Sequence, residues 1–195
     1  MRAAGRRMEG QSMRSTCLAA ISELEAVCAK LDDAAVAAAV AEIVAARRIV
    51  LYGVGREGLQ IKGLCMRLFH LGRDVAMVGD MTTPPLGAGD LLIVSAGPGV
   101  FSTVLALMGV AKAAGARTLM ITAQPGGAAA LAADVVLTIP AQTMADDRGG
   151  KPSTLPMGSL FEGAEFIVFE ALVLAVRDVL GVSASEMRAR HTNLE

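Results

Sequence analysis

The chain carries 195 residues, of which 53% are apolar and 19% charged, with a net charge of −1. This balance describes one folded domain with a substantial core and excludes a disordered chain. The near-neutral charge, the lack of a basic run beyond Arg6-Arg7 and Arg47-Arg48, and an aromatic content of 3% exclude nucleic acid as the main partner, because electrostatic footprint and stacking platforms are both missing.

Residues 1–10 read as a loosely held, disordered tail and residues 11–195 as a single domain. The tail is basic but has no apolar central region, so it is not read as a signal peptide. Alanine-rich helical periodicity covers 12–30 and 33–46, with Asp32 placed to cap the second helix. Strand 48–54, helix 57–71 and strand 74–78 follow. The turn-rich stretch GDMTTPPLGAGD leads to strand 90–95 and helix 102–114, and then to strand 117–122, a short helix 127–133 and strand 135–139. A long Gly- and Pro-containing loop over 140–157 precedes a long helix 158–181 and a short helix 184–190. Five β-runs alternating with helices predict a three-layer α/β fold: a five-stranded parallel sheet with helices on both faces, preceded by N-terminal helices.

Cys17, Cys28 and Cys65 form no CxxC pair, and two histidines do not complete a zinc set, so no metal site is expected. Scattered, reduced thiols indicate a cytoplasmic protein. No membrane span is expected either, because the long apolar segment 163–181 is interrupted by Glu165, Glu170, Arg177 and Asp178, of which the three acids are read as ordinary polar positions on the helix.

In open parallel sheets, ligands bind beyond the carboxyl ends of the strands. Three such ends carry turn residues and hydroxyls here. The first is Gly53-Val54-Gly55-Arg56-Glu57-Gly58, running straight into an amphipathic stretch; the second is the Gly79–Pro84 turn with Thr82 and Thr83; the third runs from Ser95 through Gly97 and Gly99 to Ser102 and Thr103. Ser102 or Thr103 is placed to cap the following helix and offer a hydroxyl to an anion, and Arg56 to pair with phosphate. Two helix N-termini converging on one crevice suit an anionic ligand. The G-x-G-x-x-G spacing alone does not choose between a dinucleotide, a sugar phosphate and a tight turn with no ligand. Asp80 stands where a ribose-binding acid of an NAD site would sit. Against that reading, the chain has no room for a separate substrate domain, and the third loop adds an anion cradle that a dinucleotide fold does not need.

From about residue 40 onward the chain resembles the sugar isomerase (SIS) domain family, and within it the 6-phospho-3-hexuloisomerases. The resemblance is carried by GVGREG at 53–58, MRLFHLG at 66–72, GDMTTPPLGAGDLLIVSAG at 79–97, AKAAGA at 111–116, PMGSLFE at 156–162 and RHTNLE at 190–195. It implies a flavodoxin-like sheet, a homodimer or homotetramer with sites near subunit interfaces, and cofactor- and metal-free interconversion of hexulose 6-phosphates. That chemistry needs a base for a carbon-bound proton, donors for an enediolate and a hydroxyl proton shuttle. The PMGSLFE match makes Glu162 the candidate base, although a Glu in a first helical turn also complements the helix dipole without any catalytic role. His191 would polarise an oxygen or shuttle a proton, reaching a neighbouring subunit's site. His70, on an apolar helix face, is read as a packed histidine.

The chain departs from the family where phosphate would be handled. Glu57 follows the Arg where the family carries Ser, and a carboxylate beside a phosphate dianion is unfavourable unless it turns away or pairs with Arg56. Ala96, Pro98 and Phe101 interrupt the hydroxyl-rich third loop, and Pro98 also removes a backbone donor. A lysine expected after the fifth strand is replaced in Pro140-Ala141-Gln142-Thr143-Met144. With Glu162 and RHTNLE retained, these changes predict a related sugar or sugar phosphate as substrate. A non-catalytic sugar-phosphate-binding module is the alternative.

Overall fold

The computed structural model describes residues 12–148 and 152–194, so the tail expected over 1–10 lies outside the described residues. The chain order is α1 (Met13–Cys28), α2 (Asp33–Ala45), β1 (Arg48–Gly53), α3 (Gly55–His70), β2 (Asp74–Met77), β3 (Leu91–Ser95), α4 (Ser102–Ala113), β4 (Arg117–Thr122), α5 (Ala128–Ala132), β5 (Val135–Thr138), α6 (Ser159–Leu180) and α7 (Ala184–Ala189). Asp32 caps α2 as expected, accepting a hydrogen bond from the Ala34 amide at 2.9 Å.

The five strands form one parallel sheet in the order β2-β1-β3-β4-β5. Successive side chains on a strand point to opposite faces, and the two faces are covered by different helices. Ile49, Leu51, Leu91, Ile93, Leu119 and Ile121 pack with residues of α2, α3 and α6; Val50, Leu92, Val94 and Met120 pack with α4 and α5. This double coverage explains why Leu91–Val94 reads as an unbroken apolar run. Each large side chain so buried contributes roughly 1.5–3 kcal/mol.

The order reverses between β1 and β3, which lie side by side while their following helices leave to opposite faces. A crevice opens at that point. Its position depends on the turn after β1. A Cβ placed on Gly58 would lie 2.6 Å from the Gly53 carbonyl oxygen, so only glycine lets α3 start this close to the strand. Gly55 has φ +59°, which lets the chain reverse at once. Helix α3 therefore begins at Gly55, two residues earlier than the sequence pattern predicts, and Arg56 and Glu57 belong to its first turn instead of a loop. Helix α4 also differs from expectation: Phe101 is its N-cap and no side chain caps it, while Ser102 and Thr103 are exposed in the first turn.

Two glycines of α3 make this packing testable. Gly58→Ala should destabilise the protein by roughly 1–3 kcal/mol through the clash with Gly53. Gly63→Ala, where the added methyl meets nothing within 4 Å, should be neutral or stabilising by up to about 1 kcal/mol. Thermal melting of both variants checks this; equal melting temperatures would mean that the Gly53–Gly58 contact does not fix the turn.

Candidate active site

The crevice between the N-termini of α3 and α6 has a volume of about 360 Å³. Val54 to Glu57 form one wall, Met157, Gly158, Phe161 and Glu162 another, and Pro98, Phe101, Thr143 and Met144 close the rest. The α6 wall is shaped by an uncommon turn, in which Met157 (φ 57°) and Gly158 (φ 84°) are both left-handed. A side chain held in that region is a strained arrangement of the kind found at functional sites.

Arg56 spans the crevice wall. Its Nη1 donates to Ser159 Oγ at 2.8 Å, its Nη2 donates to the Met157 carbonyl at 2.5 Å, and its Nε lies 3.1 Å from Glu162 Oε2. The guanidinium thus braces the strained turn and pairs with Glu162. The Glu162 side chain is 14% exposed, and burial raises its pKa against the opposing pull of Arg56. The carboxyl is thus held largely out of water beside a cation, two influences that act on its proton in opposite directions.

Glu57 does not pair with Arg56. Its carboxylate turns back to the end of β3, where Oε2 accepts from the Gly97 amide at 2.9 Å and from Ser95 Oγ at 2.7 Å. Ser95, expected to offer its hydroxyl to a ligand, is fully buried and also lies 2.6 Å from Glu165 Oε1. One hydroxyl cannot donate to two carboxylates at once, so one carboxyl must hold a proton. Glu57 has a backbone donor that favours its ionised form, whereas Glu165 is wholly buried and its Oε2 has no hydrogen-bond partner. Burial pushes the Glu165 carboxyl up to about 9, with the charges of Glu57 and Glu162 adding to the effect and the Ser95 bond opposing it. The Glu57 carboxyl is also raised, chiefly by burial, with the Ser95 and Gly97 bonds pulling the other way. Glu165 is therefore the proton holder, donating to Ser95, which donates to Glu57. Glu165 is thus not the ordinary polar position that its sequence context suggests, but a buried acid. It lies four residues after Phe161 and three before Val168, within the buried stripe of α6, and that periodicity was the available signal.

The remaining expected site residues divide by place. Gly53 serves the strand–helix contact, and Gly55 opens toward the crevice. Gly97 lets Phe161 lie against the end of β3, since a Cβ there would be 2.8 Å from the ring. Gly99, at φ +93°, packs on Gln124 and Gly127. Ser102 and Thr103 stand just beyond Phe101 at the start of α4, outside the crevice lining. Thr83 is not brought to the crevice: its hydroxyl lies between the carbonyls of Met77 and Asp80, within hydrogen-bond reach of both, and fixes the turn after β2. His191 is not brought there within the chain either. Its ring stacks on His70, with centroids 5.3 Å apart, at the far end of α3. With a rise of ~1.5 Å per residue, that helix separates it from the crevice by roughly 20 Å. His70 is buried, as expected.

The model of the SIS domain matches residues 42–155. A 3-hexulose-6-phosphate isomerase from Mycobacterium gastri is 41% identical over 173 residues, covering 89% of this chain and 86% of that protein. The chain belongs to the SIS domain family. A second relative of the same name, from Bacillus subtilis, is 31% identical and spans 78% of this chain and 83% of its own length. The crystal structure of a hypothetical protein from Methanococcus jannaschii, for which a molecular function of 3-hexulose-6-phosphate isomerase was inferred, superposes with a TM-score of 0.77 at 27% identity, covering 92% of this chain and 97% of that one. The fold expected of an SIS domain is the one observed, with its crevice at the β1–β3 reversal. Among the described residues, no helix is long and apolar enough to cross a membrane.

The buried acid makes stability depend on pH. From the ordinary value of 4.5 up to about 9, folded Glu165 keeps its proton while the unfolded chain has released it. The native state binds more protons across that window, so stability falls as pH rises through it. Glu165→Gln should flatten that slope and raise the denaturant midpoint near pH 8 more than near pH 5. Parallel denaturant titrations of the two proteins check this; equal slopes would show that Glu165 is not the proton holder.

Proposed function

We propose that this protein is a sugar-phosphate isomerase that moves the carbonyl of a hexulose 6-phosphate to a neighbouring carbon through an enediolate, without a metal. The carrying observation is the Glu162–Arg56 pair at the crevice, read together with the 41% identity to a 3-hexulose-6-phosphate isomerase. Glu162 removes the proton from the carbon beside the carbonyl and returns it to the carbon that held the carbonyl. Arg56 keeps the base oriented and supplies positive charge as the enediolate forms. The apolar walls formed by Phe101, Phe161 and Met144 exclude water from the carbanion-like intermediate.

The open backbone at Gly55 and the exposed Ser102 and Thr103, beside the uncapped first turn of α4, are the available donors for the phosphate end of the substrate. His191 lies with His70 at the opposite end of α3, so its part in the reaction would be played in the crevice of a neighbouring subunit, within a homodimer or homotetramer. The three cysteines, none in a disulfide, fit a cytoplasmic enzyme.

Assay of 3-hexulose 6-phosphate isomerisation should show turnover, and Glu162→Gln should lower kcat by roughly 10²–10⁴-fold with the fold retained. The raised Glu162 carboxyl predicts an acidic limb of kcat/KM above the usual carboxylate range, because the base is lost as pH falls through its own pKa. Unchanged turnover in the variant would remove Glu162 from the base role. Mixing inactive Glu162→Gln and His191→Ala subunits should restore activity; no restoration would remove His191 from a shared site.

A further inference from the structure

Two acidic residues, Glu57 and Glu162, line the same crevice, and the mechanism above uses only one of them. Glu57 reaches it from the first turn of α3 and is 7% exposed. Behind it, Ser95 Oγ lies 2.7 Å from Glu57 Oε2 and 2.6 Å from Glu165 Oε1, and Glu165 Oε2 is buried with no partner. The charged groups facing this cluster are Glu162 from α6 and, through Glu162, Arg56; no lysine, arginine or histidine forms a hydrogen bond or ion pair with Glu57 or Glu165 among the described residues. An ionised Glu57 is therefore stabilised only by the Gly97 amide and a hydroxyl, and a protonated Glu57 leaves no buried charge.

Shifting a carbonyl between neighbouring carbons moves two protons. One moves between carbons, and the other leaves the hydroxyl oxygen that becomes the carbonyl and ends on the former carbonyl oxygen. We propose that Glu57 is the second catalytic acid–base group, carrying the proton between the two sugar oxygens, and that Ser95 and Glu165 are positioning residues forming a buried proton-sharing pair with it. The proposal rests on the isomerase reading above. The Glu57 carboxylate accepts the hydroxyl proton while its electron pair stays on the sugar oxygen to become the new C=O. The protonated Glu57 then returns that proton to the oxygen of the enediolate. Glu165 keeps its own proton throughout, so the Ser95 hydroxyl is held toward Glu57 in every step. An acidic floor of this kind receives the hydroxyl-bearing carbons of the substrate and repels its phosphate, which is left to the crevice mouth.

The test has an optical and a kinetic arm. Difference infrared spectroscopy of the wild type against Glu165→Gln at neutral pH should show the carbonyl band of a protonated carboxylic acid, absent from the variant. Ser95→Ala, which keeps both carboxyls and removes their link, should shift that band in frequency. No band, or a band unmoved by Ser95→Ala, overturns the shared proton. With 3-hexulose 6-phosphate, Glu57→Gln should lower kcat by roughly 10²–10⁴-fold with little change in KM. The wild type should lose kcat/KM as pH rises past about 9, and Glu165→Gln should lack that limb. Wild-type kcat in Glu57→Gln, with Glu162→Gln inactive, overturns the shuttle and leaves the isomerase reading standing. Retention of the alkaline limb in Glu165→Gln overturns its positioning role. A wild type that turns over no 3-hexulose 6-phosphate removes the isomerase reading on that substrate and the shuttle with it, while the infrared band still decides the shared proton.

Discussion

The contact between Gly53 and Gly58 sets the geometry on which the crevice depends. At that distance α3 has no room for a connecting loop, so its first turn sits directly above the carboxyl end of the sheet. Arg56 and Glu57 are consecutive and cannot face the same way on a helix. One reaches across to the start of α6, and the other turns down to the end of β3. The three elements that line the site are thus joined by side chains of a single turn. A longer strand–helix connection would let each of these groups reach solvent instead.

Charge in the crevice is arranged by depth. The outer carboxylate, Glu162, is balanced by Arg56. The next, Glu57, is held by hydrogen bonds alone, and the innermost, Glu165, is neutral. Low dielectric makes this ordering steep, because an unpaired ion in the interior is far less favourable than a protonated acid that can donate a hydrogen bond. Two carboxylates behind one arginine would repel an anion, and it is the proton on Glu165 that limits the excess.

The sheet was legible from the sequence because its signals are local. Leu91 to Val94 announce a strand buried on both faces, Asp32 announces a cap, and glycines mark the strand ends. The glycine-rich strand ends marked the place of the crevice, and the position of Glu162 at the start of the long helix was also readable. What escaped was set by long-range contacts. For Glu57 the sequence left open whether it turns away or pairs with Arg56; it turns away, and its partners Ser95 and Gly97 lie about forty residues on, outside any window around residue 57. Ser95 was read as a ligand donor because it stands at the carboxyl end of an apolar strand, and its burial between two acids needs both α3 and α6 in place. Thr83 and Ser102 looked alike as loop hydroxyls, yet one closes its own turn and the other stands exposed. Glu165 differs from these, since the stripe through Phe161, Val168 and Leu172 already passes over it.

The glycine-to-glycine packing of Gly99 on Gly127 carries a consequence for binding. A Cβ on Gly127 would lie 2.6 Å from the Gly99 carbonyl oxygen, so the loop that leads into α4 rests directly on the connection between β4 and α5. That loop is seated on the sheet before any ligand arrives. Ordering a mobile segment on binding offsets part of the interaction energy, and a loop already seated avoids that loss. The side of the crevice that meets α4 is in this sense preorganised: its backbone is already in the place a ligand would need it.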